Sequence, residues 1–379
     1  MRTNWPLVPL GDVINHRKEF FEISDDTRYQ RCRVKLHAKG VEKRDSILGN
    51  EIKTKKQQAC RPDDFLVAEI DAKVGGYGLV PDHLEDAIVS SHYFLFESQP
   101  EKILSKFLGY FARTQFFADQ VTAKGSTNYA AIRPENVLSY QIPLPPLVEQ
   151  KRIVTHLDAI ETRLNRIQKL RAEADKLQDA ILNAAFARMS EGASHESLSE
   201  ISPIRKRAVE IDLDRPYKEF GIRSFYKGIF LRRTQRGSDY DWQKLFTVHE
   251  GDVVFSNIMA WEKAIGLASK GQHGWVGNHR MLVCEPNTEK VIPEWLFHYF
   301  KTSEGFAKLR AASPGSVARN KTLRASSLME ITVPVPSIAI QKQFLRIAEL
   351  SSRSKALKTS KIENSEAVIP AILDRLFRK

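Results

Sequence analysis

The residues with the clearest catalytic potential are two aspartates and a lysine in the first third of the chain. Asp63 and Asp71 precede Lys73, and two carboxylates with a lysine can hold Mg²⁺ beside a phosphate, as in nucleases. The chain repeats itself, as described below, and the second copy lacks this pattern because Gly251 stands opposite Asp63. We therefore interpret Asp63 as a turn residue rather than as part of a nuclease site.

Sequence signatures of other enzyme classes are missing as well. No Gly-Lys dipeptide occurs, which excludes a Walker A loop, and no Gly-x-Gly-x-x-Gly follows a predicted strand. The pair His195-Glu196 has no second histidine at metalloprotease spacing, and the sequence lacks the Asn/Asp-Pro-Pro-aromatic tetrapeptide and the glycine-rich cofactor loop of adenine methyltransferases. The sequence therefore offers no recognisable motif for nucleotide-driven chemistry, metalloprotease chemistry or methyl transfer.

The cysteines also fail to suggest a site. Cys32, Cys60 and Cys284 are odd in number and far apart in the sequence. Such spacing fits neither a disulfide framework nor a paired zinc site. We predict three buried free thiols.

Positive charge is the strongest compositional signal. The 379 residues include 58 Lys and Arg against 46 Asp and Glu, a formal net charge of +12 with a pI near 9.5, which is typical of nucleic-acid-binding proteins. Two stretches concentrate it: residues 28–61 contain 11 Lys and Arg with 3 acids, and residues 205–236 contain 10 with 4. A solvated basic face would have the same composition, so that alternative stays open.

Length and hydropathy limit the class of protein. A chain of 379 residues, 42% of them hydrophobic, exceeds what one core usually serves, so two or more globular domains are expected. The N-terminal residues lack the apolar segment of a secretion signal, and no stretch is apolar enough to span a membrane. We therefore expect a cytoplasmic protein without a membrane partner.

An internal repeat organises the whole chain. The sequence IPLPPLVEQK at 142–151 returns as VPVPSIAIQK at 333–342, an offset of 191 residues. Further upstream, residues 62–67 align with residues 250–255 at an offset of 188. Because the matches run in order along the chain, they indicate two copies of one domain.

Each copy ends in a proline-rich strap followed by a helix. Pro143, Pro145 and Pro146 cannot continue a helix, so we expect the first helix from residue 149 to residue 188. Its apolar residues recur at intervals of three and four, as in a coiled coil, and its length would be about 60 Å. The second helix, from about residue 340, is richer in Ser and Lys, and Pro370 should kink it. The helices can pair with each other or with other chains.

The parts before the straps predict mixed structure. Short apolar runs bounded by Gly, Asp or Pro indicate strands, at 65–68, 88–89, 93–96, 253–255 and 281–284. Aromatic residues at helical spacing indicate a helix over 102–121 and another over 293–311. The expected fold class is α+β: two similar mixed α/β domains, each followed by a long helix, with pseudo-two-fold symmetry if the helices pair as an antiparallel coiled coil.

These features resemble one known family, the specificity subunits of type I restriction-modification systems. The residues that carry the resemblance are the strap-plus-helix openings, the helix ends, the domain start and the Gly-Ser pairs before the straps, at 142–153, 333–344, 182–186, 373–377, 5–13, 125–126 and 315–316. The resemblance covers essentially the whole chain. The Ser-rich second helix with Pro370 departs from the family pattern.

The resemblance implies a domain plan and a function. Target recognition domains would occupy 1–145 and 191–335, with coiled-coil spacer helices at 146–190 and 336–379. Each recognition domain would read one half of a bipartite site in double-stranded DNA, and the helices would set the spacer and dock two methyltransferase subunits. Restriction and translocase subunits would complete the complex. S-adenosylmethionine, ATP and Mg²⁺ would belong to those partners, so by this resemblance the subunit itself would be non-catalytic and would need no metal or cofactor.

Candidate DNA contacts follow from the basic stretches and from glycine-containing loops. Lys and Arg would hold phosphates, while a few side chains would reach base edges. The two basic stretches align poorly in sequence, which we interpret as two readers of different bases. The candidates are Arg28, Arg31, Arg33, Lys35, Lys73, Tyr77, Lys124, Ser126, Asn128, Tyr129, Arg223, Lys227, Arg232, Arg233, Trp261, Lys263, Ser316, Arg319, Asn320 and Lys321.

Two other classes of function remain open from the sequence. One is a DNA methyltransferase or nuclease with cryptic motifs. The other is a coiled-coil scaffold without DNA specificity. A DNA binder that neutralises several phosphates would differ from the scaffold by a steep loss of affinity with salt.

Overall fold

The computed structural model describes residues 5–121, 131–240, 244–315 and 321–377. The chain divides into two compact units. Unit 1 comprises Met1–Leu170 and Thr359–Lys379, and unit 2 comprises Arg171–Lys358. Each unit therefore contains one mixed part together with a segment of both long helices.

The mixed part of unit 1 consists of short strands and three short helices. Its four-stranded sheet has the order β2-β10-β7-β8, all antiparallel, and its five-stranded sheet has the order β3-β6-β9-β4-β5. The strands are β1 (Leu7–Pro9), β2 (Ile14–Arg17), β3 (Phe21–Glu22), β4 (Arg28–Val34), β5 (Val41–Leu48), β6 (Lys56–Ala59), β7 (Phe65–Ala68), β8 (Tyr77–Leu79), β9 (Ile88–Val89), β10 (Tyr93–Ser98) and β11 (Gln141–Pro143). The helices are α1 (Ser105–Phe111), α2 (Gln115–Ala118) and α3 (Pro134–Ser139).

The central strand β7 explains how this part is layered. All four of its residues are buried, and successive side chains of a strand point to opposite faces. Phe65 and Val67 pack with the aromatic residues of α1 and α2, whereas Leu66 and Ala68 pack with residues of β4 and β9. The strand is therefore apolar throughout because it lies between a helical layer and the second sheet.

A proline strap and the long helix α4 (Leu147–Ser190) follow this part. The strap includes β11, which pairs antiparallel with β1, and Gln150 at the start of the helix is fully buried. The Gln150 amide nitrogen donates to the carbonyls of Lys102 and Pro145, both at 2.9 Å, and its oxygen accepts from the Leu104 amide at 2.9 Å. The helix is thus fixed to the mixed part through backbone groups.

Unit 2 repeats this plan. Its strands are β12 (Ser194–Ser197), β13 (Pro216–Arg223), β14 (Gly228–Arg236), β15 (Phe246–Thr247), β16 (Val253–Ser256), β17 (Ile265–Leu267), β18 (Val276–Gly277), β19 (Met281–Cys284) and β20 (Thr332–Val335). Its short helices are α5 (Leu198–Ile201), α6 (Pro293–Tyr299), α7 (Ser303–Ala311) and α8 (Ala325–Met329). Strand β16 lies between β17 and β19 as β7 lies between β8 and β10. The expected strands and the expectation of two similar mixed domains are confirmed.

The two basic stretches align poorly in sequence, but each contains the same element, an antiparallel hairpin of two strands. Strands β4 and β5 form an antiparallel hairpin with a register shift after Arg31. Strands β13 and β14 form a hairpin with a register shift after Glu219, which lies 188 positions later. We call these the unit 1 hairpin and the unit 2 hairpin.

The single helices expected over 102–121 and 293–311 are wrong in both units. Each region forms two short helices, because a threonine begins a new helix where the first one ends. The Thr114 side chain accepts from the Phe117 amide at 3.1 Å, and the Thr302 side chain accepts from the Gly305 amide at 3.1 Å. A threonine that accepts such a bond starts a helix rather than continuing one.

The second long helix is divided as its proline predicts. A single residue, Ala367, separates helix α9 (Ile338–Glu366) from helix α10 (Val368–Phe377). Pro370 has no N–H to donate to the carbonyl four residues earlier, at Glu366. At the start of α9, Gln341 is fully buried and repeats the bonds of Gln150, with the carbonyls of Lys290 and Pro336 and the amide of Ile292.

The segments of the long helices pair within each unit. In unit 2, α4 and α9 run antiparallel: the Phe186 ring lies 5.2 Å from that of Phe344, and Gln178 donates to the Ser351 carbonyl at 2.7 Å. In unit 1, Leu157 of α4 shares a core with apolar residues of α10. Four apolar residues of α4 are exposed: Ile167, Leu170, Leu177 and Ile181. Among the described residues, none of the helices has the length and apolar composition of a membrane span.

Candidate nucleic-acid interface

The unit 1 hairpin carries four of the predicted DNA contacts, and most of their charges are paired. Arg31 makes a two-point contact with Asp45, Nε to Oδ1 at 2.7 Å and Nη2 to Oδ2 at 2.6 Å. Arg33 and Lys35 both lie near Glu42, with nitrogen–oxygen distances of 2.9 and 3.3 Å. The hydrogen bonds from Arg31 hold the pKa of the Asp45 carboxyl below its usual value. Arg28, the fourth, donates to the Ser46 carbonyl at 2.8 Å and is exposed.

The unit 2 hairpin carries the other set, with a different pairing. Arg232 and Arg233 both contact Glu219, at 3.0 and 2.6 Å. The Glu219 side chain is only 2% exposed, whereas the two arginines are 53% and 43% exposed. The guanidinium of Arg223 lies 4.6 Å from the centre of the Phe230 ring. Lys227 is exposed at the hairpin turn.

The two hairpins place opposite charges at equivalent positions. An offset of 188 relates Arg31 to Glu219 and Asp45 to Arg233, and each pair faces its partner across the strands beside the register shift. The ion pair is therefore kept while its polarity is reversed. Sequence reasoning found the cations but missed their acidic partners, which the offset of 188 could have identified.

The turn of each hairpin is tied to a predicted DNA loop. The His37 amide donates to the Val74 carbonyl at 2.8 Å, and the equivalent Phe225 amide donates to the Glu262 carbonyl at 3.0 Å. These carbonyls belong to or border short 3₁₀ turns that include Lys73 in unit 1 and Trp261 in unit 2. The structure therefore brings the hairpin turns and these loops together, with Lys73 exposed.

Tyr77 does not belong to this surface. It is 2% exposed, and its ring packs 4.9 Å from that of Phe117 inside the core. Burial raises the pKa of its hydroxyl to about 12. Tyr77 is a core residue in this structure, which corrects its prediction as a DNA contact.

Three predicted residues of unit 2 surround one hollow. Trp261 is held by a hydrogen bond from Nε1 to the Ile258 carbonyl at 3.0 Å, and the Lys321 nitrogen lies 4.9 Å from the Trp261 ring centre. The Lys263 nitrogen lies 4.9 Å from the Phe306 ring centre. The hollow has a volume of about 330 Å³, and its lining includes four residues that the sequence did not suggest: Phe225, Glu262, Phe306 and Arg310.

The remaining predicted contacts lie outside the described residues. They are Lys124, Ser126, Asn128 and Tyr129 in the first copy and Ser316, Arg319 and Asn320 in the second. Their assignment remains a prediction from the sequence.

The aspartate that suggested a nuclease, Asp63, and its neighbour Asp64 have structural roles. Asp63 has a positive φ of 66°, as in a tight turn, and the adjacent Asp64 is buried in an ion pair with Arg17. Unit 2 repeats this pair with Arg207 and Asp252 at 2.7 Å. Within the described ranges, no group of three His, Cys, Asp or Glu side chains could hold a metal ion. Asp64 and Asp252 also accept from the backbone amides of Arg61 and His249, both at 2.7 Å, and so stabilise a turn in both copies.

The cysteines are buried free thiols, as predicted. Cys32 on β4 and Cys60 after β6 nevertheless lie in contact, with their sulfurs 3.5 Å apart. Their separation of 28 positions in the sequence gave no sign of this contact, which depends on the pairing of strands within the second sheet.

Comparison with known proteins agrees with this geometry. A family model described as type I restriction modification DNA specificity domain matches residues 3–174 and again residues 198–365. The type I restriction enzyme MjaVIII specificity subunit of Methanocaldococcus jannaschii is 28% identical over 131 residues. That match covers 34% of this chain and 31% of the relative, so it spans about a third of the relative's length.

Two solved structures have a similar fold. The HsdS subunit from Thermoanaerobacter tengcongensis is 21% identical, with a TM-score of 0.54 over 99% of this chain and 96% of that one. A chain from a study described as the structural basis underlying complex assembly and conformational transition of the type I R-M system is also 21% identical. Its TM-score is 0.67 over 99% of this chain and 97% of that chain. Since the family model matches once in each half and together these matches span most of the chain, the protein belongs to the type I restriction-modification DNA specificity family.

Proposed function

We propose that this chain is the DNA sequence-specificity subunit of a type I restriction-modification complex in the cytoplasm. The mixed part of each unit reads one half of a bipartite site in double-stranded DNA. Helix α4 and helices α9 and α10 set the spacer between the halves and dock two methyltransferase subunits. Restriction and translocase subunits join this assembly.

One observation supports two independent readers above all others. The same hairpin occurs in both units, but the ion pair at its bulge is Arg31–Asp45 in one and Arg233–Glu219 in the other. Base edges of the major groove present distinct patterns of donors and acceptors, so a changed arrangement of cations and acids on one backbone selects different bases. Equivalent hairpins with different charges are what two different half-sites require.

The proposal assigns no catalytic step to this chain. Methyl transfer and cleavage belong to the partner subunits, together with their S-adenosylmethionine, ATP and Mg²⁺. The role of this chain is to hold duplex DNA through phosphate contacts and to select the sequence through base contacts.

The test is exchange of one mixed part. Residues 191–332 are replaced by the equivalent part of a relative, and the complex is reconstituted with its methyltransferase subunits. Methylation sites are then mapped by sequencing. We expect one half of the recognised sequence to change and the other half to persist.

Two outcomes would contradict the proposal. If both halves change together, the two parts do not read independently. If the purified chain alone methylates or cleaves DNA when given S-adenosylmethionine or Mg²⁺, it is an enzyme rather than a specificity subunit.

A further inference from the structure

The hollow in unit 2 differs from the hairpins in the ion pairing of its lysine and arginine side chains. Lys263, Arg310 and Lys321 line it together with Glu262. The Glu262 carboxylate accepts from the Ser224 hydroxyl at 3.2 Å and forms no ion pair with these cations within the described ranges. The arginines Arg232 and Arg233 of the neighbouring hairpin, by contrast, share the buried Glu219. The hollow therefore gathers three positive charges against one carboxylate, with no ion pair between them in the described part of the chain.

Aromatic rings also line the hollow, from Phe225, Trp261 and Phe306. The Lys263 nitrogen lies 4.9 Å from the Phe306 ring and 5.7 Å from the Tyr226 ring, and the Lys321 nitrogen lies 4.9 Å from the Trp261 ring. Contacts of this kind orient an ammonium group while leaving its hydrogen-bond donors available. The lysines are thus held in place without losing their capacity to bind an anion.

The backbone at Lys263 is strained in a way that the other unit avoids. Lys263 has a left-handed φ of 67°, where an offset of 188 places Gly75 with a φ of 79° in unit 1. Both residues accept the same hydrogen bond from the hairpin turn, from Tyr226 at 2.9 Å and from Ala38 at 2.8 Å. Glycine adopts this conformation without cost, whereas a lysine there is unfavourable. The presence of a lysine at a position that favours glycine indicates that the charge of its side chain has a function.

We propose that Lys263, Arg310 and Lys321 form a phosphate-binding site that holds one phosphodiester of the DNA backbone. This inference rests on the proposed function and adds to it the residues that position the duplex on unit 2. A guanidinium and two ammonium groups match the charge and the hydrogen-bond acceptors of a phosphate. Because a phosphate is the same in every nucleotide, the site contributes affinity and register without sequence preference.

The proposal separates Lys263 and Lys321 from the base readers. A base-edge contact needs a side chain that extends into a groove, whereas these lysines lie against rings at the wall of a hollow of about 330 Å³. Arg223 and Lys227 on the hairpin remain candidates for base contacts.

The experiment measures the binding of the full chain to duplex DNA as a function of salt. The variants Lys263→Gln, Arg310→Gln and Lys321→Gln each remove one charge, and Lys342→Gln removes one charge from helix α9 as the matched control. Loss of one phosphate contact should weaken binding about tenfold near 0.1 M salt and reduce the slope of log affinity against log salt by about 1. Cognate and scrambled duplexes should be affected equally, and the control should resemble the unaltered chain.

A second variant removes the side chain without disturbing the fold. Lys263→Gly places in unit 2 the residue that unit 1 already has, so its melting temperature should not fall. Its DNA affinity should fall as in Lys263→Gln. A loss of affinity together with a loss of folding would instead mark Lys263 as structural and overturn the assignment.

The remaining outcomes are also decisive. Variants that behave like Lys342→Gln, or that lose affinity only for the cognate duplex, would overturn the phosphate site while leaving the proposed function intact. An unaltered chain that fails to bind duplex DNA at any salt concentration would defeat both the proposed function and this inference. Titration with adenosine monophosphate separates the other source of phosphate: tight binding of the mononucleotide, lost in the variants while DNA affinity persists, would show a nucleotide site instead.

Discussion

The ion pair at the bulge of each hairpin determines which strand presents its cation to solvent. In unit 1 the Arg31 side chain is 21% exposed and comes from the first strand of the hairpin. In unit 2 the acid occupies that position, and Arg233 on the second strand is 43% exposed. Opposite charges across an antiparallel pair stabilise either arrangement, so the polarity is free to serve recognition.

A charge reversal tests this interpretation. Arg31→Glu places two carboxylates opposite each other beside the bulge and should reduce the free energy of unfolding by about 1 kcal/mol. Adding Asp45→Arg restores an ion pair with the polarity of unit 2 and should recover most of that loss. Urea denaturation of the two single variants and the double variant gives the coupling energy.

The double variant should recover its stability without recovering recognition of the DNA half-site. If Arg31 reads a base, the stable double variant should fail to recognise the half-site of unit 1 in a methylation map. A double variant with unaltered specificity would show that the pair only braces the hairpin.

Individual side chains were the least predictable level of the structure. The basic stretches revealed Arg31 and Arg233 because composition is visible without a fold. Their acidic partners, the contact between Cys32 and Cys60 and the burial of Tyr77 all depend on which strands pair and on which face of a sheet a residue lies. These facts are set by long-range pairing, which local composition does not contain.

The paired helices of unit 2 enclose a histidine that has no compensating partner. The ring of His298 on α6 lies 5.0 Å from that of Phe186 and 4.7 Å from that of Phe344. Its Nε2 atom is buried without a hydrogen-bond partner among the described residues. Burial, and to a smaller extent the nearby Lys301, lowers the pKa of His298 to about 4, although Asp179 opposes this shift.

This pKa predicts a loss of stability in mild acid. The unfolded chain binds a proton at His298 near pH 6.5, whereas the folded chain does not until about pH 4. Stability from this residue is therefore fully present above pH 6.5 and is lost as the pH falls towards 4. Between pH 7 and pH 5 the loss should be roughly 2 kcal/mol.

A non-titrating variant provides the control. His298→Phe keeps an aromatic ring between the helices and should flatten the pH dependence of urea denaturation by about that amount. An unchanged pH dependence would mean that another group is responsible.

The bounds of helices and straps were predicted well where proline residues or a repeated sequence pattern set them. The straps, both long helices and the break near Pro370 follow from local constraints on the backbone. The short helices were merged in the prediction because their aromatic spacing continues across Thr114 and Thr302, whose capping bonds end that continuity. The equivalence of the hairpins was hidden because their charges had been exchanged.

For the molecule as a whole, the proposed function makes the long helices a measure of distance along DNA. Inserting four residues after Leu170 lengthens α4 by about 6 Å and turns its far end by roughly 40° beyond a full turn. At about 3.4 Å per base pair, we expect a recognised spacer that is longer by one or two base pairs. Both half-site sequences should persist in a methylation map of the variant complex.

A shorter insertion serves as the comparison. Two residues rotate the following helix by about 200° and turn its apolar side chains away from their partners, Phe186 from Phe344 among them. This variant should lose solubility or methyltransferase binding rather than change the spacer. An active four-residue variant with the original spacer would show that the helices connect the readers without measuring the gap.

The two buried glutamines bear on how such a protein can change over evolutionary time. Gln150 and Gln341 fix each long helix to its mixed part by bonding only to backbone carbonyls and amides. Backbone groups are the same whatever side chains the mixed part carries, so these glutamine bonds do not depend on the side chains of the mixed part. A foreign mixed part that enters the chain by recombination can keep these bonds, but it must also supply partners for helix side chains such as Asp158 and Glu161, which contact Tyr110 and Arg113. Under the proposed function, one such exchange would change one half of the recognised sequence while both glutamine joints and the long helices persist.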